Sequence, residues 1–266
     1  MNSSKISQAF AKLKTENLKG FIPFITAGDP DLQTTKNLIL MLAKCGATII
    51  ELGIPFSDPM ADGLTIQKSS ERALKNDFGI GEILDLVREI RLETNVPIIL
   101  FGYFNPLLQY GLKKLCVEAR AAGIDGFLVT DLTPEEAVEF SSLLRQNNLD
   151  MIFLVAPTSG DERLKMIAER ASGFIYAVSR AGVTGARDAI SQSAEILVNR
   201  MRRFSDLPVA VGFGISNAEQ ISKTWKYADA AVVGSAIVAR IERHNKSKEI
   251  VSEVEKFVEN LLPGKF

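Results

Sequence analysis

Short apolar runs recur along this chain about every 25 to 35 residues, each followed by a longer stretch with helical spacing. That alternation limits what the chain can become more than any single motif does. The runs are FIPFITA, TIIELG, PIILFGY, GFLVTD, MIFLVAP, FIYAVSR, PVAVGFG and AAVVGSA. Between them lie TTKNLILMLAKCG, LLQYGLKKLCVEARAAG, PEEAVEFSSLLRQN, DERLKMIAERAS and NAEQISKTWKYA, which read as helices. Gly46, Gly123 and Gly173 stand where those helices need a left-handed cap. Strands alternating with helices suit either a doubly wound open sheet or a closed barrel. Eight such units without a Pro/Gly/Ser-rich linker predict the α/β class and a single (β/α)8 TIM barrel domain over residues 1–266. An extra N-terminal helix is expected where Ile6, Phe10 and Leu13 keep an apolar period among Lys5, Lys12 and Lys14. RIERHNKSKEIVSEVEKFVENLL reads as a charged connection followed by the last outer helix.

Charge narrows the choice of partners. With 31 basic against 32 acidic residues, the chain has no electrostatic footprint for nucleic acid or an anionic membrane. The lysine-bearing N-terminal helix is no signal h-region and no apolar run approaches a membrane span, so a cytoplasmic location is expected. Cys45 and Cys116 lie on predicted helices without metal-ligand spacing and read as reduced structural thiols.

A barrel of this kind does its chemistry at the C-terminal ends of the strands, where the βα loops share one mouth. One such end is ELGIPFSDPMADG, residues 51–63, with three carboxylates in a turn that needs none of them. Period-two alternation puts Glu51 on the face of Ile49, opposite Ile50 and Leu52. An ionised glutamate beneath the outer helices would need a partner or a proton, so the inner face at the mouth is expected. There, apolar surroundings raise its pKa toward the range of a general acid/base. Asp62 can swing to the same cavity as a second carboxylate. Asp58, before Pro59, can also simply organise the turn. The single histidine, His244, lies in a charged segment far from any strand end and is expected to be exposed. Histidine triads and His-rich metal sites are therefore excluded, and missing strand-end lysines weaken a Schiff-base mechanism.

VGFGIS after the seventh strand and VVGSAI after the eighth suit a phosphate site built from backbone. Gly234 and Ser235 can open a helix whose free N–H groups face an anion. SRAGVTGARD, after the sixth strand, reads as a mobile lid.

FIPFITAGDP, ELGIPFSDPMADG, TIQKSSERAL, GYFNPLLQYG, SRAGVTG, VGFGIS and VVGSAI together resemble the tryptophan synthase alpha chain family, in family order and over nearly the whole sequence. The resemblance implies a lyase that cleaves indole-3-glycerol phosphate to indole and glyceraldehyde 3-phosphate. It implies that Glu51 shuttles a proton at the indole ring carbon and that Asp62 stabilises charge on the indole nitrogen. Tyr176 is expected beside the breaking bond, with Phe24, Leu100, Leu128 and Phe213 as the indole wall. Thr184 is expected to meet Asp62 on closure, and Gly185, Gly214, Gly234 and Ser235 to hold the phosphate. Pro55, Asp58, Tyr103 and Asn105 are expected to face a beta chain in an alpha2beta2 heterotetramer. No cofactor is expected in this chain, and pyridoxal phosphate belongs to the beta partner.

The sequence departs from the family pattern at Leu64, where proline is usual after ADG, and in a longer stretch after His244. Other readings are a stand-alone indole-releasing lyase, a non-catalytic regulatory scaffold, or a related phosphate-binding barrel such as an indole-glycerol-phosphate synthase or a sugar-phosphate epimerase. Glu51 and Asp62 together argue against the scaffold. The last two enzymes want a catalytic lysine and a metal site respectively.

Overall fold

A computed structural model describes residues 4–178, 187–212 and 214–262, with the backbone alone for 187–191. In chain order the elements are α1 (Lys5–Glu16), β1 (Gly20–Thr26), α2 (Leu32–Lys44), β2 (Ile50–Gly53), α3 (Leu64–Ala73), α4 (Ile80–Ile90) and β3 (Ile98–Gly102). They continue with α5 (Phe104–Tyr110), α6 (Leu112–Ala122), β4 (Gly126–Val129), α7 (Val138–Gln146), β5 (Asp150–Val155), α8 (Asp161–Arg170) and β6 (Ile175–Val178). The last are α9 (Arg187–Met201), β7 (Val209–Gly212), α10 (Ala218–Trp225), β8 (Ala230–Val233), α11 (Ser235–His244) and α12 (Ile250–Leu261). The strands pair in parallel in sequence order, and β8 returns to β1 to close the barrel.

Alternation along each strand sorts the core into two shells. Ile22, Ile49, Ile99, Leu128, Ile152 and Phe174 fill the interior, while Phe21, Ile50, Leu100, Phe127 and Val211 pack beneath the helices. Helix α1 stoppers one end of the inner shell with Ile6, fully buried, and Phe10, whose ring lies 5.8 Å from that of Phe174. Its start is capped by Ser4, whose Oγ accepts from Ser7 N–H.

Several local expectations change. LLQYGLKKLCVEARAAG forms two helices, because Gly111 takes φ +93° and ends α5 before α6 begins. PEEAVEFSSLLRQN becomes helical only from Val138. RIERH belongs to α11, so the C-terminal stretch forms the end of one helix and all of a second. His244 lies in the last turn of α11, partly buried rather than exposed, where a basic side chain suits the carbonyl end of the dipole. Gly46 and Gly123 take positive φ at the ends of α2 and α6, as the sequence predicts, whereas α8 ends at Arg170 with Ala171 extended, so Gly173, though at φ +74°, lies beyond the cap. Among the described residues, no helix is long and apolar enough to cross a membrane.

Candidate active site

The C-terminal ends of the strands surround a cavity of about 290 Å³. Glu51 enters it from β2, with Phe24 from β1, Phe101 from β3 and Tyr176 from β6, while Gly234 and Ser235 contribute the start of α11. Asp62 reaches it from the loop that leads into α3. Neither lysine, arginine nor histidine lines it among the described residues.

Glu51 is 1% exposed, and its Oε1 has no hydrogen-bond partner. Burial alone pushes its carboxyl well above the usual carboxylate range, so it holds a proton where an exposed glutamate would have lost one. Tyr176 is buried beside it. Desolvation, followed by the nearby Glu51 charge, raises the phenol well above its ordinary value and keeps it neutral. The tyrosine also explains the bare backbone opposite: a Cβ on Gly212 would stand 2.1 Å from Tyr176 Oη.

Asp62 has a different setting. Burial raises its pKa to about 6, against a hydrogen bond from Tyr103 that favours the anion. Tyr103 Oη also accepts from Ala61 N–H at 2.9 Å, so one phenol holds two successive residues of the loop. Its own pKa is pushed up to about 12, chiefly by burial and then by the Asp62 charge. Gln67 Nε2 donates to the Asp62 carbonyl at 2.8 Å, and Asp62 N–H donates to Pro59 O at 3.0 Å. The two carboxylates are thus set apart: one is apolar-bound and proton-holding, the other ionised above about pH 6.

An anionic group in this cavity must be met by backbone. Gly234 caps α11 without a side-chain hydrogen bond, and while Ile237 N–H donates to Gly234 O at 2.9 Å, the N–H groups of Ser235 and Ala236 are left for an occupant at the positive end of the dipole. Gly214, at φ +80°, lies across from them with no heavy atom within 4 Å of where a Cβ would stand.

Some expected residues are placed elsewhere. Leu100 points outward into the helix-packed shell, because β3 alternates and its inward residues are Ile99 and Phe101. Phe101 lines the cavity in its place, its ring meeting that of Phe24 edge-on at 5.2 Å. Its signal was present in the sequence, two residues beyond Ile99, which pairs with Glu51. Leu128 faces inward but is fully buried in the inner shell and does not line the cavity. Pro55 is buried, and Tyr103, 5% exposed, turns inward onto the Asp62 loop, so neither presents a surface to a partner chain. Asp58 and Asn105 are exposed at the rim. The turn at Asp58 is held by its backbone carbonyl, which accepts from Met60 N–H at 2.9 Å, while its carboxylate accepts from Ser57 Oγ at 2.5 Å. Thr184, Gly185 and Phe213 lie outside the described residues. No group of three or more His, Cys, Asp or Glu side chains suits a metal ion among the described residues.

Leu64 is the first residue of α3, after Gly63 at φ −74°, ψ 160°. Proline is favoured at a first helical position, where the N–H has no intrahelical partner, and the residue before it must be extended, as Gly63 is. Leu64→Pro is therefore expected to stabilise the chain by about 0.4–1 kcal/mol through the unfolded state, a rise of about 1–4 °C in a thermal melt.

A family model described as tryptophan synthase alpha chain matches residues 10–263. The tryptophan synthase alpha chain of Geobacter sulfurreducens is 50% identical over 258 residues, covering 97% of each chain. That of Prochlorococcus marinus is 44% identical over 262 residues, covering 98% of each. Among solved structures, tryptophan synthase subunit alpha from Legionella pneumophila superposes with a TM-score of 0.90 at 34% identity, covering 98% of this chain and 97% of that one. A chain of the tryptophan synthase a2b2 complex of Pyrococcus furiosus gives 0.85 at 45% identity, covering 91% and 97%. Matches of this identity across nearly the full length, on the same closed barrel, settle the relationship: the chain belongs to the tryptophan synthase alpha chain family.

Proposed function

We propose that the whole chain, 1–266, is one catalytic domain that cleaves indole-3-glycerol phosphate to indole and glyceraldehyde 3-phosphate in the cytoplasm. The observation that carries this reading is a pair of carboxylates in one cavity, one buried with a bare oxygen and the other poised near pH 6. Protonated Glu51 delivers its proton to the indole ring carbon that bears the glycerol chain. The ring nitrogen then carries positive charge, and ionised Asp62 pairs with its N–H. Loss of the proton from the adjacent glycerol hydroxyl, back to Glu51, lets the carbon–carbon bond break. Its electron pair returns to the ring, an aldehyde forms at the former alcohol carbon, and Glu51 is again protonated. The cleavage thus needs no nucleophile and no net proton.

Phe24 and Phe101 supply the apolar wall for the indole, and the neutral phenol of Tyr176 stands beside Glu51. Gly214, Gly234 and Ser235 receive the phosphate through backbone N–H groups. Met60 and Leu64, 94% and 75% exposed beside exposed Asp58, leave the rim apolar and wet, which supports a partner chain over a stand-alone enzyme. That partner is a tryptophan synthase beta chain in an alpha2beta2 assembly, which carries pyridoxal phosphate and consumes the indole.

The test is an indole-release assay on the purified chain with indole-3-glycerol phosphate, with and without a beta chain. Release by the chain alone, accelerated by the partner, is expected. Release that the partner leaves unchanged would favour the stand-alone lyase, and no release in either arm would remove the assignment.

A further inference from the structure

Asp62 lies two residues before α3, in the loop that leads into it, and the phosphate cradle includes the start of α11; the two helices pack against each other and both begin at the cavity. One side chain ties the two helices together farther back. Arg72, on α3, donates Nε and Nη2 to the two oxygens of Asp29 at 2.8 Å each, and Nη1 to Glu242 Oε1 at 3.1 Å. Asp29 is 1% exposed in the loop after β1, and Glu242 sits on α11. At about 1.5 Å per residue, Arg72 lies about 12 Å along α3 from its start, and Glu242 about 10 Å along α11 from Ser235. The tie is therefore set a similar distance behind the cavity on both helices. Three further hydrogen bonds fix α3 and the turn after it to the end of β1 and its loop: Thr26 Oγ1 and Ser69 Oγ are 2.6 Å apart, and Asn76 Nδ2, past the end of α3, donates to the carbonyls of Gly28 and Pro30 at 3.0 and 2.7 Å.

We propose that Arg72 is a positioning residue whose planar fork sets the span between the Asp62 carboxylate and the phosphate N–H groups of α11. A substrate that bridges indole nitrogen and phosphate reads that span, whereas a free anion reads only the cradle. Lysine keeps the charge but not the fork that holds Asp29 and Glu242 together. A displacement on the order of 1 Å at a reacting group costs up to about 10²-fold in rate. The inference rests on the catalytic reading of Asp62.

The test is a double-mutant cycle on indole release by the full chain with its beta chain present. Arg72→Lys is expected to lower kcat about tenfold, and to change inhibition by inorganic phosphate less than about twofold. In the Asp62→Asn background, where nothing is left to position, it is expected to lower kcat by less than about twofold. An equal loss in both backgrounds, or none in the native one, overturns the proposal and leaves Arg72 a structural tie. Should Arg72→Lys fail to fold, Glu242→Ala at a half-exposed site carries the same cycle, with about a threefold loss expected only where Asp62 is intact. The catalytic reading fails separately: Asp62→Asn with native kcat removes it before any Arg72 variant is measured.

Discussion

Glu51→Gln is expected to lower kcat for indole release by about 10²- to 10⁴-fold, the usual worth of a positioned proton donor, while raising the melting temperature. The two effects share a cause. Glu51 is buried with one oxygen unpartnered, and its folded-state pKa is raised well above 4.5 by desolvation. A group whose folded pKa exceeds its unfolded pKa binds its proton more tightly in the native state. Its contribution to stability is complete below the unfolded value and lost progressively as pH rises toward the folded one. Glutamine fills the same volume and ionises in neither state. The difference in melting temperature between variant and parent should therefore be smallest below the ordinary glutamate pKa and grow steadily as pH rises above it. Phosphate affinity should be nearly unchanged, because the cradle is backbone on other elements. Thermal melts across a series of pH values and steady-state kinetics check both halves. Native turnover in the variant would remove Glu51 from the chemistry, and a melting difference independent of pH would remove the desolvation argument.

The acid limb of the pH profile is expected to belong to Asp62. With its pKa raised to about 6, the carboxylate is ionised about ten to one at pH 7. Below pH 6 the neutral form accumulates, and kcat/KM should fall toward tenfold per pH unit. Asp62→Asn should cost about 10²-fold at pH 8 and flatten that limb. The Tyr103 hydrogen bond favours the Asp62 anion, so Tyr103→Phe should move the limb to higher pH. A rate profile measured between pH 5 and 8 on the three proteins decides this. An acid limb that survives Asp62→Asn would mean that another group titrates.

Much of the barrel was legible because its rule is local. Alternating apolar runs and helical spacings follow from which face each element buries, and that pattern repeats without reference to distant residues. The same rule turned Glu51 inward, since the outer face of β2 offers no water. The errors came where a local pattern was compatible with two backbones. The stretch around Gly111 continues a helical spacing on both sides, and only the left-handed turn there separates α5 from α6. Leu100 was misplaced because motif resemblance overrode alternation. Applied to β3, the period of two selects Phe101. Tyr103 followed the motif to the rim, whereas the structure folds its phenol back over the loop to hold Ala61 and Asp62.

The amino-acid sequence by itself determined the closed eight-stranded architecture, the inward glutamate and the glycine-lined ends of the last two strands, because each is written in the spacing of neighbouring residues. The tertiary structure alone decided the electrostatics and the ties. Asp62 owes its poise near pH 6 to burial against a phenol from another strand end. Arg72 meets Asp29 and Glu242 from 43 and 170 residues away. Such pairings depend on how loops and helices converge in space, and the cost of burying a charge is fixed only when its surroundings have been assembled.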